Sequence, residues 1–112
     1  MSELLKAQFQ FASDVALLID YIFKHGYKCT LGETYRPTEM AKIYAKEGKG
    51  ILASQHCQRL AIDINLFTKD GIYLTKNDDY EDFGIYWESL SPENKWGGRF
   101  SIGDGNHFQR KG

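Results

Sequence analysis

Cysteine is scarce in this sequence. Cys29 and Cys57 are the only two, they form no CxxC pair, and no disulfide framework follows from them. Each suits a small buried apolar position, and Cys57 is assigned no ligand role. An excess of either charge is also missing: 14 basic residues face 15 acidic ones, for a net charge of −1. That removes the electrostatic case for a nucleic acid or an anionic membrane surface as partner. The Arg110-Lys111 pair near the terminus reads as solvated. No apolar run is long enough to span a bilayer. Residues 1–25 hold Glu3, Asp14 and Asp20 and lack a basic stretch leading into an apolar one. They do not read as a signal peptide, so synthesis in the cytoplasm is expected. Repeats, low-complexity stretches and proline- or serine-rich linkers are lacking as well, and 1–112 reads as one domain.

What is present is a good supply of core material. Seven Phe, seven Tyr and two Trp accompany an apolar fraction of 42%, enough for a chain of this length to bury a core without covalent staples. Residues 3–25 read as a helix, with Phe11, Val15, Leu18 and Ile22 on one face and Gly26 as its stop. Residues 27–35 alternate as a strand, placing Tyr27, Cys29, Leu31 and Tyr35 on a buried side. Pro37 suits the first turn of a helix running to Glu47 with Met40, Ile43 and Tyr44 as its stripe, and Gly48-Lys49-Gly50 breaks it into a loop. Residues 59–67 are the clearest strand. Leu60, Ile62, Ile64 and Leu66 point one way, and Ala61, Asp63 and Asn65 the other. A turn at Lys69-Asp70-Gly71 into Ile72-Tyr73-Leu74 predicts a hairpin. Tyr80, Phe83, Trp87 and Leu90 predict a helix over 78–90, ended by Ser91-Pro92. A glycine-rich tail then leads to a short strand at His107-Phe108-Gln109. The sum is an α+β domain, a small antiparallel sheet with packed helices.

Asp63 stands in the middle of an apolar strand, where a carboxylate is costly unless it is paired, metal-bound or wet. By itself it fits a solvated face as well as a functional site. His56 precedes it by seven residues, a span of roughly 23 Å if fully extended. The two can meet on one ion only if the chain bends between Cys57 and Arg59. His107 follows Asp104 by three residues, and the glycines flanking Asp104 favour a turn that aims both at one spot. His25, at a helix end where a cation suits the dipole, is read as structural. Two imidazoles and one carboxylate make an open catalytic zinc set, and a further carboxylate is then needed to take a proton from water. Asp104 is the natural candidate, and Arg36 could hold an oxyanion or a substrate carboxylate. No HExxH helix is present, which excludes the zincin arrangement.

Order and spacing add more. Ser54-Gln55-His56-Cys57-Gln58-Arg59-Leu60-Ala61-Ile62-Asp63 resembles the S-x-H-x-x-G-x-A-x-D signature of the D-Ala-D-Ala peptidase family, which includes VanX- and VanY-like enzymes. Asp104-Gly105-Asn106-His107 is similar to that family's [E/D]-x-x-H motif, Trp96-Gly97-Gly98 to its W-G-G element, and Arg36 to its early arginine. The resemblance implies one zinc ion on His56, Asp63 and His107, with Asp104 as general base. It also implies Arg36 as the oxyanion or carboxylate contact, Ser54 as a substrate-binding hydroxyl, and a fold shared with the Hedgehog signalling domain. Two departures stand out: Arg59 replaces the family's glycine, and the base is Asp rather than the dipeptidases' Glu. The second, with the short chain, resembles the phage L-alanyl-D-glutamate endopeptidase branch. The expectation is a monomeric endolysin that hydrolyses the L-Ala–D-Glu bond of peptidoglycan stem peptides after release from the host cytoplasm. The alternatives are a D-Ala-D-Ala carboxypeptidase or dipeptidase, or a zinc-bearing binding module of the same fold without catalysis.

Overall fold

A computed structural model describes residues 1–48 and 55–111. Helix α1, Glu3–Lys24, starts on the Ser2 side chain, whose hydroxyl accepts from the Leu5 amide, as an N-cap should. Its inward stripe is Phe11, Asp14, Leu18 and Ile22. Val15 packs on the core edge, and the buried Asp14 was not anticipated from the sequence. Its two oxygens accept from the Gln10 and Asn94 side-chain amides at 2.9 and 3.1 Å, which offsets the cost of burying it.

Four antiparallel strands follow, β1 (Lys28–Leu31), β2 (Ala61–Phe67), β3 (Asn94–Trp96) and β4 (His107–Arg110), in the order β1-β2-β4-β3. Helix α2 spans Thr38–Lys46 and α3 spans Glu81–Leu90. Helices α1 and α3 cover one face of the sheet. Ile62, Ile64, Leu66 and Phe108 meet Phe11, Leu18, Ile22, Phe83 and Trp87 there. Trp87 packs edge-on to both Phe11 and Phe108, with ring centroids 5.6 and 6.1 Å apart. Because strand side chains alternate, Asp63, Asn65, His107 and Gln109 fall on the opposite face. The core therefore fixes the sheet from one side and leaves the other for chemistry.

Three expectations change. The strand expected over 27–35 is shorter, and its side chains are not buried: Leu31 is 59% exposed and Tyr35 45%. β1 is an edge strand with partial cover from α1, so Cys29 reaches the core and the Tyr27 ring only edges onto Phe83, with centroids 5.2 Å apart. The 72–74 hairpin arm is reduced to a single Phe67–Tyr73 bridge. β3 was hidden in the tail, being only three residues long. The loop expected from Gly48 onward lies, beyond that glycine, outside the described residues. No helix among the described residues is long and apolar enough to cross a membrane.

Candidate metal centre

Asp63 and His107 are direct cross-strand partners in the β2–β4 register, so their side chains leave the same face side by side. Asp63 Oδ1 lies 3.2 Å from His107 Nδ1. The sequence condition for His56, a bend before Asp63, is met. Gln55–Gln58 is a single 3₁₀ turn, the Leu60 amide closes back on the Gln55 carbonyl at 3.0 Å, and Arg59 takes a left-handed φ of 58°. That conformation costs a non-glycine residue roughly 1–2 kcal/mol, which explains a glycine at this position in the family signature. Here the Arg59 guanidinium lies over the Tyr35 ring, 4.0 Å from its centroid, a contact that helps offset the cost.

The bend swings His56 over the sheet, its Nε2 3.3 Å from the same Asp63 oxygen. One donor atom from each of His56, Asp63 and His107 lies within 4.8 Å of the others, the one such cluster among the described residues. Cys57 has no part in it.

The donor set fits a metal cation. His56 Nδ1 faces the Thr34 carbonyl at 3.1 Å, which can only accept, so the neutral ring has its lone pair at Nε2. His107 Nε2 faces the Gln109 side-chain oxygen at 2.8 Å, which leaves the lone pair at Nδ1. Both lone pairs point at a carboxylate oxygen, and such a group of acceptors calls for a cation. Without a metal the two rings can instead turn a proton toward Asp63: burial pushes its carboxyl up, but the contacts with His107 and His56 outweigh that and hold the group at about 2. Burial lowers His107, yet Asp63 and Gln109 outweigh that and leave it raised.

Asp104 sits beside the triad, its Oδ2 4.0 Å from His107 Nδ1. Burial, with the Asp63 charge adding to it, raises its carboxyl, as suits a group that must both take and give a proton. The Trp-Gly-Gly element builds this loop. The Trp96 indole donates to the Gly105 carbonyl at 2.7 Å, and the Asp104 amide to the Gly97 carbonyl at 2.9 Å. A side chain at Gly97 would strike the Asp104 carbonyl and come within 2.8 Å of His107 Cβ.

Arg36 is tied to the site through its backbone, whose amide donates to the His56 carbonyl at 3.0 Å. Its guanidinium is held by Glu33, with Nε 2.7 Å from Oε1. Ser54 lies outside the described residues. His25 caps α1, as expected, with Nδ1 2.8 Å from the Tyr21 carbonyl. Sequence reasoning missed Thr34, Gln109 and Glu33. The first acts through its backbone carbonyl and left no signal. Gln109 could have been found, since it lies two residues beyond His107 on the same strand face.

Comparison with known proteins agrees with this geometry. Residues 47–110 match the family described as D-alanyl-D-alanine carboxypeptidase. No curated protein sequence matches. Among solved structures, the Serratia marcescens L-Ala D-Glu endopeptidase ChiX superposes with a TM-score of 0.74 at 20% identity, covering 90% of this chain and 77% of that one. With more than half of its length matched and His56, Asp63 and His107 assembled as a zinc triad, the chain belongs to the D-alanyl-D-alanine carboxypeptidase family and is a zinc metallopeptidase.

Proposed function

We propose that this protein is a peptidoglycan endopeptidase that hydrolyses the L-Ala–D-Glu bond of bacterial stem peptides. The observation that carries the reading is the His56–Asp63–His107 triad with the raised carboxyl of Asp104 beside it on the face of the sheet opposite α1 and α3. The choice of bond is supported by the likeness in fold to an L-Ala D-Glu endopeptidase and by Asp, rather than Glu, at position 104.

Zinc at the triad would supply a nucleophile at neutral pH and polarise the scissile carbonyl. Asp104 takes the proton of the attacking water and returns it to the leaving amine. Thr34 and Gln109 orient the two imidazoles. Arg36, paired with Glu33, holds the 3₁₀ turn through the His56 carbonyl and meets the substrate's oxygen or carboxylate. Ser54 contributes a hydroxyl to substrate binding. A polar cleft of about 200 Å³ between Tyr73, Asn77 and the Gly103–Asn106 loop opens next to Asp104 and receives part of the peptide. In the cell, the reading is of a phage or prophage lysin, one monomeric domain over residues 1–112. It waits in the cytoplasm and reaches the wall after release. Digestion of purified peptidoglycan tests the bond: new D-Glu amino termini are expected, and release of free D-Ala instead would establish the carboxypeptidase reaction.

A further inference from the structure

We propose that Gln109 is a positioning residue: its side-chain oxygen fixes His107 in the Nε2–H form and so presents Nδ1 to the zinc. The inference rests on the reading of His107 as a ligand. Three observations on β4 carry it. Gln109 Oε1 is 2.8 Å from His107 Nε2, while the other ring nitrogen faces Asp63 at 3.2 Å. The backbone of Gln109 is pinned from the opposite side of the sheet, where the Trp87 indole donates to its carbonyl at 2.9 Å. Its partner across β2 is Ala61, fully buried and small, so the glutamine has room to fold back along the strand onto the imidazole two residues away.

The orientation of the amide decides the chemistry. With its oxygen toward the ring, the glutamine accepts, the proton stays on Nε2, and Nδ1 keeps the lone pair a metal needs. Turned over, the amide would donate to Nε2, the proton would move to Nδ1, and that nitrogen would be closed to the ion. His56 shows the mirror arrangement, its Nδ1 on the Thr34 carbonyl at 3.1 Å and its Nε2 toward Asp63 at 3.3 Å. The site thus uses opposite nitrogens of its two histidines, and each choice is made by an oxygen acceptor behind the ring. For His56 that acceptor is backbone, which no substitution removes. For His107 it is a side chain, which makes the role testable.

Gln109→Leu keeps the bulk and removes the acceptor, and Gln109→Glu keeps the acceptor. The readouts are the imidazole ¹⁵N spectrum of the zinc-loaded protein and the zinc dissociation constant from chelator competition. Wild type should show His107 bound through Nδ1 and protonated at Nε2. Gln109→Leu should weaken zinc binding about 10–100-fold, the usual loss when a partner behind a ligand is removed. Gln109→Glu should keep the wild-type pattern and bind zinc within a few-fold of wild type. Wild-type affinity in Gln109→Leu would overturn the proposal, as would a Gln109→Glu variant as impaired as Gln109→Leu. Should the leucine variant fail to fold, a wild-type His107 that binds zinc through Nε2 would overturn it alone. Failure of the metal reading would look different, with wild type binding no zinc whichever form the ring takes.

Discussion

Replacing Asp104 by Asn exposes the mechanism most directly. The substitution keeps the size of the side chain and removes its ability to accept a proton. General acid–base groups contribute about 10²–10⁴-fold in rate, or about 3–5 kcal/mol of barrier at about 1.4 kcal/mol per tenfold, and kcat should fall by that much with KM little changed. Stability points the other way. The Asp104 side chain is 42% exposed, and burial and the Asp63 charge both disfavour its ionised form. A carboxyl whose folded pKa is raised weakens the fold as pH climbs through that pKa, so the neutral amide removes a small penalty. The metal-free variant should melt at or slightly above the wild-type temperature at neutral pH, within about 0.5 kcal/mol, as is usual for a partly exposed site. Zinc content should stay at one per chain, because the nearest Asp104 oxygen lies 4.0 Å from the His107 donor atom, outside the triad. The assay is hydrolysis of purified peptidoglycan beside metal analysis and a thermal melt on the same preparation. Full activity with normal zinc would move the base elsewhere, and loss of zinc would make Asp104 a ligand. Asp104→Glu keeps the chemistry and displaces the carboxylate by one methylene, so its loss should stay below about 10²-fold.

Three further expectations follow from the same geometry. His56→Ala should lose zinc and activity together, while Cys57→Ser should leave zinc content unchanged, as metal analysis of the two variants would show. Gly97→Ala forces a methyl group against the Asp104 carbonyl and His107 Cβ. It should cost about 1–3 kcal/mol by denaturant titration and lower activity further by moving the base. In the metal-free protein, Asp63 sits at about 2 rather than 3.8, which contributes stability above 3.8 that is lost as pH falls toward 2. His107 is raised above 6.5, which contributes stability below 6.5 that is lost as pH rises through the raised value. Melting temperature without zinc should therefore peak between about pH 4 and pH 6.5. The extra stability given by zinc should grow from about pH 5 to pH 8, as protons leave the ligand nitrogens; an increment that shrinks over that range would contradict the ligand assignment.

Much of the site was legible because the chemistry is concentrated in a few residue types. A carboxylate inside the run Leu60–Leu66 is anomalous on sight, and the 59–67 alternation places it on the face away from the core, as the structure has it. The bend needed between His56 and Asp63 could be stated as a condition, but its form could not be read. A left-handed Arg59 is a backbone state that the residue type argues against, and its partner Tyr35 is 24 positions away in the chain. The orienting groups were harder. Thr34 acts through a carbonyl, which every residue has. Gln109 was within reach, since its amide lies two residues beyond His107 on the same strand face. The burial expected for Tyr27, Leu31 and Tyr35 failed for a tertiary reason. Alternation gives the two faces of a strand, but not whether the strand lies at an edge where the helix above covers only part of it.

The central claim is that one zinc ion on His56, Asp63 and His107 powers hydrolysis of the cell wall. The measurement that tests it is zinc content against wall hydrolysis through one cycle of chelation and add-back. One zinc per chain is expected, with hydrolysis lost on its removal and restored when one equivalent returns. A chelated, zinc-free protein that still cuts peptidoglycan at the full rate would contradict the account.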